Sequence, residues 1–193
     1  MKRLTFPNGQ QTRIGVFGGA FTWTTVGEKT ARDLGVHIVE QGCIVVTGAT
    51  TGLPYHAGKG ALAAGGMVLG VSPAHDPEEH VQKYEKPLDG ATLILWTGAG
   101  YTGRNYLNVR NCDAVIIIGG ETGTLEEFCV AHYEGKVIGV LEGSGGVADK
   151  IRGIMEVSPT DHGAVIEYDA DPKQLLDKVV LRLNERGART SIQ

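Results

Sequence analysis

Arg104, Glu127 and the stretch GGETGTLEE at residues 119–127 are the residues whose types and spacing could do chemistry. An apolar run, VIII at 115–118, leads into the stretch. Behind it Leu125, Phe128, Cys129 and His132 recur at helical spacing. A strand that ends in glycine and re-enters a helix aims backbone N–H groups at the positive end of the helix dipole. Gly119, Gly120, Glu121, Thr122, Gly123 and Thr124 would then grip an anionic group with no lysine, the two threonine hydroxyls adding donors. The same letters fit a capping box, in which Thr124 and Glu127 each serve the other's backbone amide. Such a cap contributes about 1 kcal/mol and needs no ligand, so the stretch alone does not separate the two readings. Arg104 begins the helix of the preceding unit and faces the same crevice. A guanidinium and a carboxylate across a cleft can polarise a substrate, whereas an exposed pair contributes little.

These residues need elements to position them. Short runs rich in Val and Ile occupy residues 14–17, 44–46, 67–71, 92–96, 115–118, 137–141 and 165–168. They are continuous rather than alternating, as strands covered on both faces are. Between them Ala31, Leu34, Gly35, Ile38 and Val39 follow helical spacing, as do Val147, Ile151, Ile154 and Met155. A further helix carries Leu175, Leu176, Val179, Val180 and Leu183, and Asp171-Pro172 reads as its N-cap and first residue. The pattern predicts an α/β fold: a Rossmann-like, doubly wound, mostly parallel sheet of about seven strands with helices on both faces, one domain over residues 1–193. Glycines cluster in FGGA, TGATTG, TGAGYTG, GGETG and EGSGG, each just past an apolar run. Open α/β sheets bind ligands at the carboxyl ends of their strands, so Gly18, Gly19, Gly48 and Thr50 join the candidate ligand-binding residues. The charged segment at 75–90, with two prolines, reads as a solvated connection.

Composition removes other classes. A net charge of −4 with no basic block argues against a nucleic-acid surface. The lead segment MKRLTFPNGQQTR has no apolar h-region and no 18-residue apolar span follows, so a cytoplasmic protein without membrane contact is expected. Cys43, Cys112 and Cys129 are expected as buried free thiols. The histidines show no metal-ligand spacing, and neither a metal nor a cofactor is expected. Gly98, Gly100 and Gly103 fit GxGxxG, with Glu121 about 20 residues on, which admits a dinucleotide oxidoreductase. That motif is weak in a glycine-rich chain and comes after the fourth strand rather than the first. Gly58-Lys59-Gly60 fails the P-loop pattern, and Ser144 in GSGG reads as a flexible turn outside any nucleophile elbow.

From Arg104 to Glu127 the chain resembles the Lonely-guy-type phosphoribohydrolases, long labelled lysine-decarboxylase-like. GGETGTLEE stands where that family has PGGxGTxxE, and Arg104 lies nine residues before Asp113. IGVFGGA, IVVTGATTGL, GGMVLGVSP and KVIGVL extend the resemblance. It implies binding of a nucleoside 5′-monophosphate or similar phosphorylated ligand, with hydrolysis of the N-glycosidic bond to base and ribose 5-phosphate. Arg104 and Glu127 would be catalytic and the glycine stretch would hold the phosphate. A homo-oligomer is implied as well. Three positions depart from the pattern: Gly119 for proline, Glu121 for glycine and Asn105 for lysine. In this the chain is similar to the divergent branch that includes the molybdenum-cofactor carrier proteins, which implies the alternative of a non-catalytic carrier or sensor of a phosphorylated cofactor. Asn105 then counts among the ligand-binding residues.

Overall fold

The computed structural model describes residues 10–19, 27–158 and 160–190. Ala20 of the first glycine cluster and lead residues 1–9 lie outside them.

Seven strands form one sheet: β1 (Arg13–Gly18), β2 (Ile44–Thr47), β3 (Val68–Ser72), β4 (Leu93–Trp96), β5 (Ala114–Ile118), β6 (Val137–Leu141) and β7 (Val165–Asp169). All neighbours pair parallel, in the order β4-β3-β2-β1-β5-β6-β7. The expected strands are all present, and the sheet is wholly rather than mostly parallel. The helices are α1 (Glu28–Glu40), α2 (Leu53–Ala63), α3 (Pro77–Gln82), α4 (Gly100–Arg110), α5 (Thr122–Tyr133), α6 (Ile151–Val157) and α7 (Pro172–Thr190). None among the described residues is long and apolar enough to cross a membrane.

Strand β5 shows why the runs are continuous. Ile116 and Ile118 enter one core with Leu34, Ile38 and Leu175, under α1 and α7. Val115 and Ile117 enter the opposite core with Val109, Phe128 and Ile151, under α4, α5 and α6. Both faces are covered, so no residue of the strand can be polar. Burying each such side chain contributes roughly 1.5–3 kcal/mol.

β1 and β5 run in register to their ends, Phe17 beside Ile117 and Gly18 beside Ile118. The chain then leaves them in opposite directions, toward α1 on one face and α5 on the other. That divergence is the switch point of the sheet and opens a crevice at the carboxyl ends.

Two expectations are corrected. The segment at 75–90 is not simply a solvated connection: it folds as α3, capped by the Asp76 carboxylate accepting from the Glu79 amide at 2.8 Å, and buries His80 completely. Cys129 is exposed, because it lies on the solvent side of α5, while Cys43 and Cys112 are buried. The Asp171 cap forms as expected, its carboxylate accepting from the Gln174 amide at 2.8 Å.

Candidate functional site

The turn after β5 is built by glycine. Gly119 and Gly120 take φ of +60° and +93°, and a methyl group on Gly120 would overlap the Thr124 side chain. The loop after β6 braces the turn. Ser144, fully buried, accepts from the Gly119 amide at 2.8 Å and donates to the Leu141 carbonyl at 2.5 Å. The carbonyls of Gly119 and Gly120 accept from the amides of Ala148 and Val147 at 3.2 and 2.8 Å. Asp149 ties down the amides of Gly143 and Gly145. Ser144 is thus a buried brace, not part of a flexible turn.

With the glycine carbonyls held back, the helix starts at Thr122, three residues before the capping box requires, and its N-cap is Glu121. No side chain caps it. Thr124 and Glu127 lie inside the helix and cannot exchange cap bonds, so the capping-box reading is overturned. The first-turn amides of Thr122, Gly123 and Thr124 have no intrahelical acceptor, and all three residues line a cleft. The neighbouring α2 is closed at the same end: its Leu53 amide donates to the Gly19 carbonyl at 2.9 Å, and Pro54 has no N–H.

The cleft measures about 330 Å³, the size of a small-molecule site. Its wall takes Phe17 and Gly18 from β1, Gly48 and Thr50 from the loop after β2, Arg104 and Asn105 from α4, and Glu121, Thr122, Gly123, Thr124 and Glu127 from the start of α5. Gly19, Gly119 and Gly120 stand behind this wall, their carbonyls engaged as above, and shape it without facing it.

Arg104 lies in the second turn of α4, which begins four residues earlier than expected. It is 6% exposed and Glu127 5%, so the pair is no surface ion pair. Nη1 of Arg104 lies 3.4 Å from Oε1 of Glu127, which also accepts from Asn108 Nδ2 at 3.0 Å. Burial pushes the Glu127 carboxyl up to about 7, against the pull of Arg104 and Asn108. Burial likewise lowers the Arg104 guanidinium, with Glu127 opposing. Arg104 Nε is buried without a partner, an unmet donor on a residue that lines the cleft. Gly48 is required here: a methyl group on it would overlap the Arg104 guanidinium. Asn105 donates to Glu126 at 2.8 Å, so the amide that stands in the family's lysine position is already committed.

The GAGYTG segment follows β4, an edge strand, rather than a strand of the switch point where a dinucleotide fingerprint belongs, although its Tyr101 reaches the cleft. Its backbone is also occupied, Gly100 donating to the Pro73 carbonyl at 3.1 Å and Ala99 to Thr97 Oγ1 at 3.2 Å.

A sequence model of the SLOG cluster4 family matches residues 11–176. The chain belongs to that family. An uncharacterized protein of Archaeoglobus fulgidus is 31% identical over 133 residues, 67% of this chain and 80% of that one. Among solved structures, TM1055, a structural genomics target, superimposes with a TM-score of 0.75 at 22% identity, covering 88% of this chain and 98% of its own. The molybdenum cofactor binding protein of the phototrophic bacterium Rippkaea orientalis gives 0.69 at 26% identity, covering 89% and 98%. The resemblance read from the sequence is upheld at the level of the SLOG superfamily.

Sequence reasoning missed Asn108, Lys86, Tyr101 and Pro54 near or in this SLOG cluster4 cleft. Asn108 had a signal, being four residues from Arg104 and so on its helix face. Lys86 had none, because it arrives on the connection between β3 and β4.

Proposed function

We propose that the cleft binds a phosphorylated small molecule and holds it as a carrier or sensor, without turning it over. One observation carries this: the residues of the uncapped α5 start and Arg104, whose guanidinium keeps an unpartnered donor, line the same cleft. Amides at a helix start and a buried guanidinium together suit a phosphate. The Rippkaea orientalis neighbour, named for binding molybdenum cofactor, supports a carrier of a phosphorylated cofactor. Asn105, bonded to Glu126 in the lysine position, argues against a complete hydrolase set.

Hydrolysis of an N-glycosidic bond is the second reading, favoured by the Glu127 carboxyl at about 7. A group poised there can take a proton from water attacking the sugar carbon as the base departs, yielding base and ribose 5-phosphate.

Calorimetry with inorganic phosphate and a panel of nucleoside 5′-monophosphates, followed by assay for free base, tests both. Saturable binding that weakens at least about 10-fold in Arg104→Ala, with no base released, is expected. Base release abolished in Arg104→Ala and Glu127→Ala would replace the carrier by the hydrolase. No binding at all would remove both.

The proposal takes residues 1–193 as one ligand-binding unit acting in the cytoplasm as a homo-oligomer. Leu93 and Leu95, 64% and 44% exposed on the edge strand β4, support association, since an apolar edge is a template for pairing. Light scattering that finds only monomers would overturn it.

A further inference from the structure

The connection between β3 and β4 is pinned along its length. His80 Nδ1 bonds Ser72 Oγ of β3 at 2.8 Å, and its Nε2 reaches the Pro87 carbonyl at 3.3 Å. Asp89 receives Tyr55 and Lys59 of α2, each at 3.0 Å. Glu79 engages His75 and Lys83. Between the pins, Glu85 takes a left-handed φ of +54°, a conformation that costs a non-glycine residue energy. The next residue, Lys86, has its amide held by the His80 carbonyl at 3.2 Å, and its side chain lines the cleft. The strap offers carboxylates at Asp76, Glu78, Glu79, Glu85 and Asp89, yet Lys86 makes no ion pair among the described residues.

Lys86 has a companion. Tyr101 of α4 lines the cleft and is 48% exposed. Tyr84, on the same strap, props it edge-on, with ring centroids 5.2 Å apart and planes at 88°. The Arg104 guanidinium lies 5.9 Å from the Tyr101 centroid. A ring held in orientation and half bare is a stacking surface for a flat group.

Lys86 and the anion-binding end enter the cleft from different strands. The strap rises from β3 and α5 from β5, three inter-strand spacings apart in the sheet order. At about 4.8 Å each this is roughly 14 Å between the strands that carry Lys86 and the α5 amides, while Tyr101, on α4, stands beside Arg104.

We propose that Tyr101 and Lys86 form a base-recognition wall: Tyr101 stacks on a fused, planar heterocycle, and the Lys86 ammonium donates to a carbonyl and ring nitrogen on its edge. A 6-oxopurine presents that pair of acceptors, whereas a 6-aminopurine presents a donor beside the ring nitrogen. The inference rests on the phosphate being held at α5.

Calorimetry with GMP, AMP and inorganic phosphate tests it on the wild-type chain, Lys86→Gln, Lys86→Arg and Tyr101→Leu. GMP is expected to bind about 10-fold more tightly than AMP. Lys86→Gln should bring GMP down to the AMP level and leave AMP and phosphate unchanged, and Lys86→Arg should keep the preference. Tyr101→Leu should weaken both nucleotides about 10-fold and spare phosphate. Equal GMP and AMP affinities in the wild type overturn the wall while phosphate binding stands. So does a Lys86→Gln chain that loses phosphate as much as GMP. A wild-type chain that binds none of the three overturns the wall and the phosphate site together.

Discussion

Arg104 Nη1 stands 3.4 Å from Glu127 Oε1, and each side chain is only 7% exposed. The pair is a buried arrangement with one guanidinium donor, Nε, left unpartnered, and burying it costs the fold some stability.

That cost depends on pH. The Glu127 carboxyl rises from 4.5 to about 7 on folding. The folded chain therefore keeps a proton that the unfolded chain gives up between those values. This contribution to stability is fully present below pH 4.5 and is lost as pH rises through 7, a change of roughly 3 kcal/mol. Glu127→Gln should remove this slope, so that urea melts show the variant more stable than wild type at pH 8 but not at pH 5. Identical pH slopes in both chains would show that Glu127 does not titrate in this range.

Gly48→Ala places a methyl group against the Arg104 guanidinium. The side chain can swing, so the stability loss should stay within about 1 kcal/mol, while phosphate affinity drops at least about 10-fold as Arg104 leaves the wall. Gly18→Ala meets the backbone carbonyl of Ile118 instead, which cannot yield without disturbing the β1–β5 ladder. Its cost should appear as about 1–3 kcal/mol in denaturant melts. Reversal of the two effects would contradict the geometry.

Thr124 is not a helix cap. Thr124→Val should therefore cost less than the roughly 1 kcal/mol that a lost threonine cap takes. Phosphate binding, measured by calorimetry on the same variant, should weaken. A full cap-sized loss with unchanged binding would restore the capping box.

The thiols should separate by burial. Cys129 is exposed, whereas burial pushes the Cys43 thiol up to about 12 and raises Cys112 as well. Iodoacetamide on the folded chain should label Cys129 first, with the other two reacting only on unfolding. Mass spectrometry of the labelled peptides reads the order, and early labelling of Cys112 would contradict it.

Much of this was legible in the sequence because it is local. A short, unbroken run such as VIII, rich in β-branched residues and closed by glycines, reads as a strand covered on both faces. Asp171-Pro172 carries its own start signal. Glycine clusters after such runs mark the carboxyl ends of the strands, and Arg104 and Glu127 were identified there by residue type and spacing. Asn108 was legible only as a neighbour of Arg104 on its helix face; Lys86 and the bracing role of Ser144 were not legible, because each acts on a partner 25 residues away or on a cleft that no single segment contains.

By itself the sequence determined the seven strands, the end of the sheet where the cleft lies and most of the residues that line it. Hydrophobic period and turn chemistry carry that information over a few residues. Only the tertiary structure decided what GGETGTLEE does. The loop after β6 draws the carbonyls of Gly119 and Gly120 away and starts the helix at Thr122. Thr124 and Glu127 are then in the wrong turns to cap each other, and the first amides are left open toward the cleft. Hydrogen bonds from across the sheet made that choice, and no local pattern could encode it.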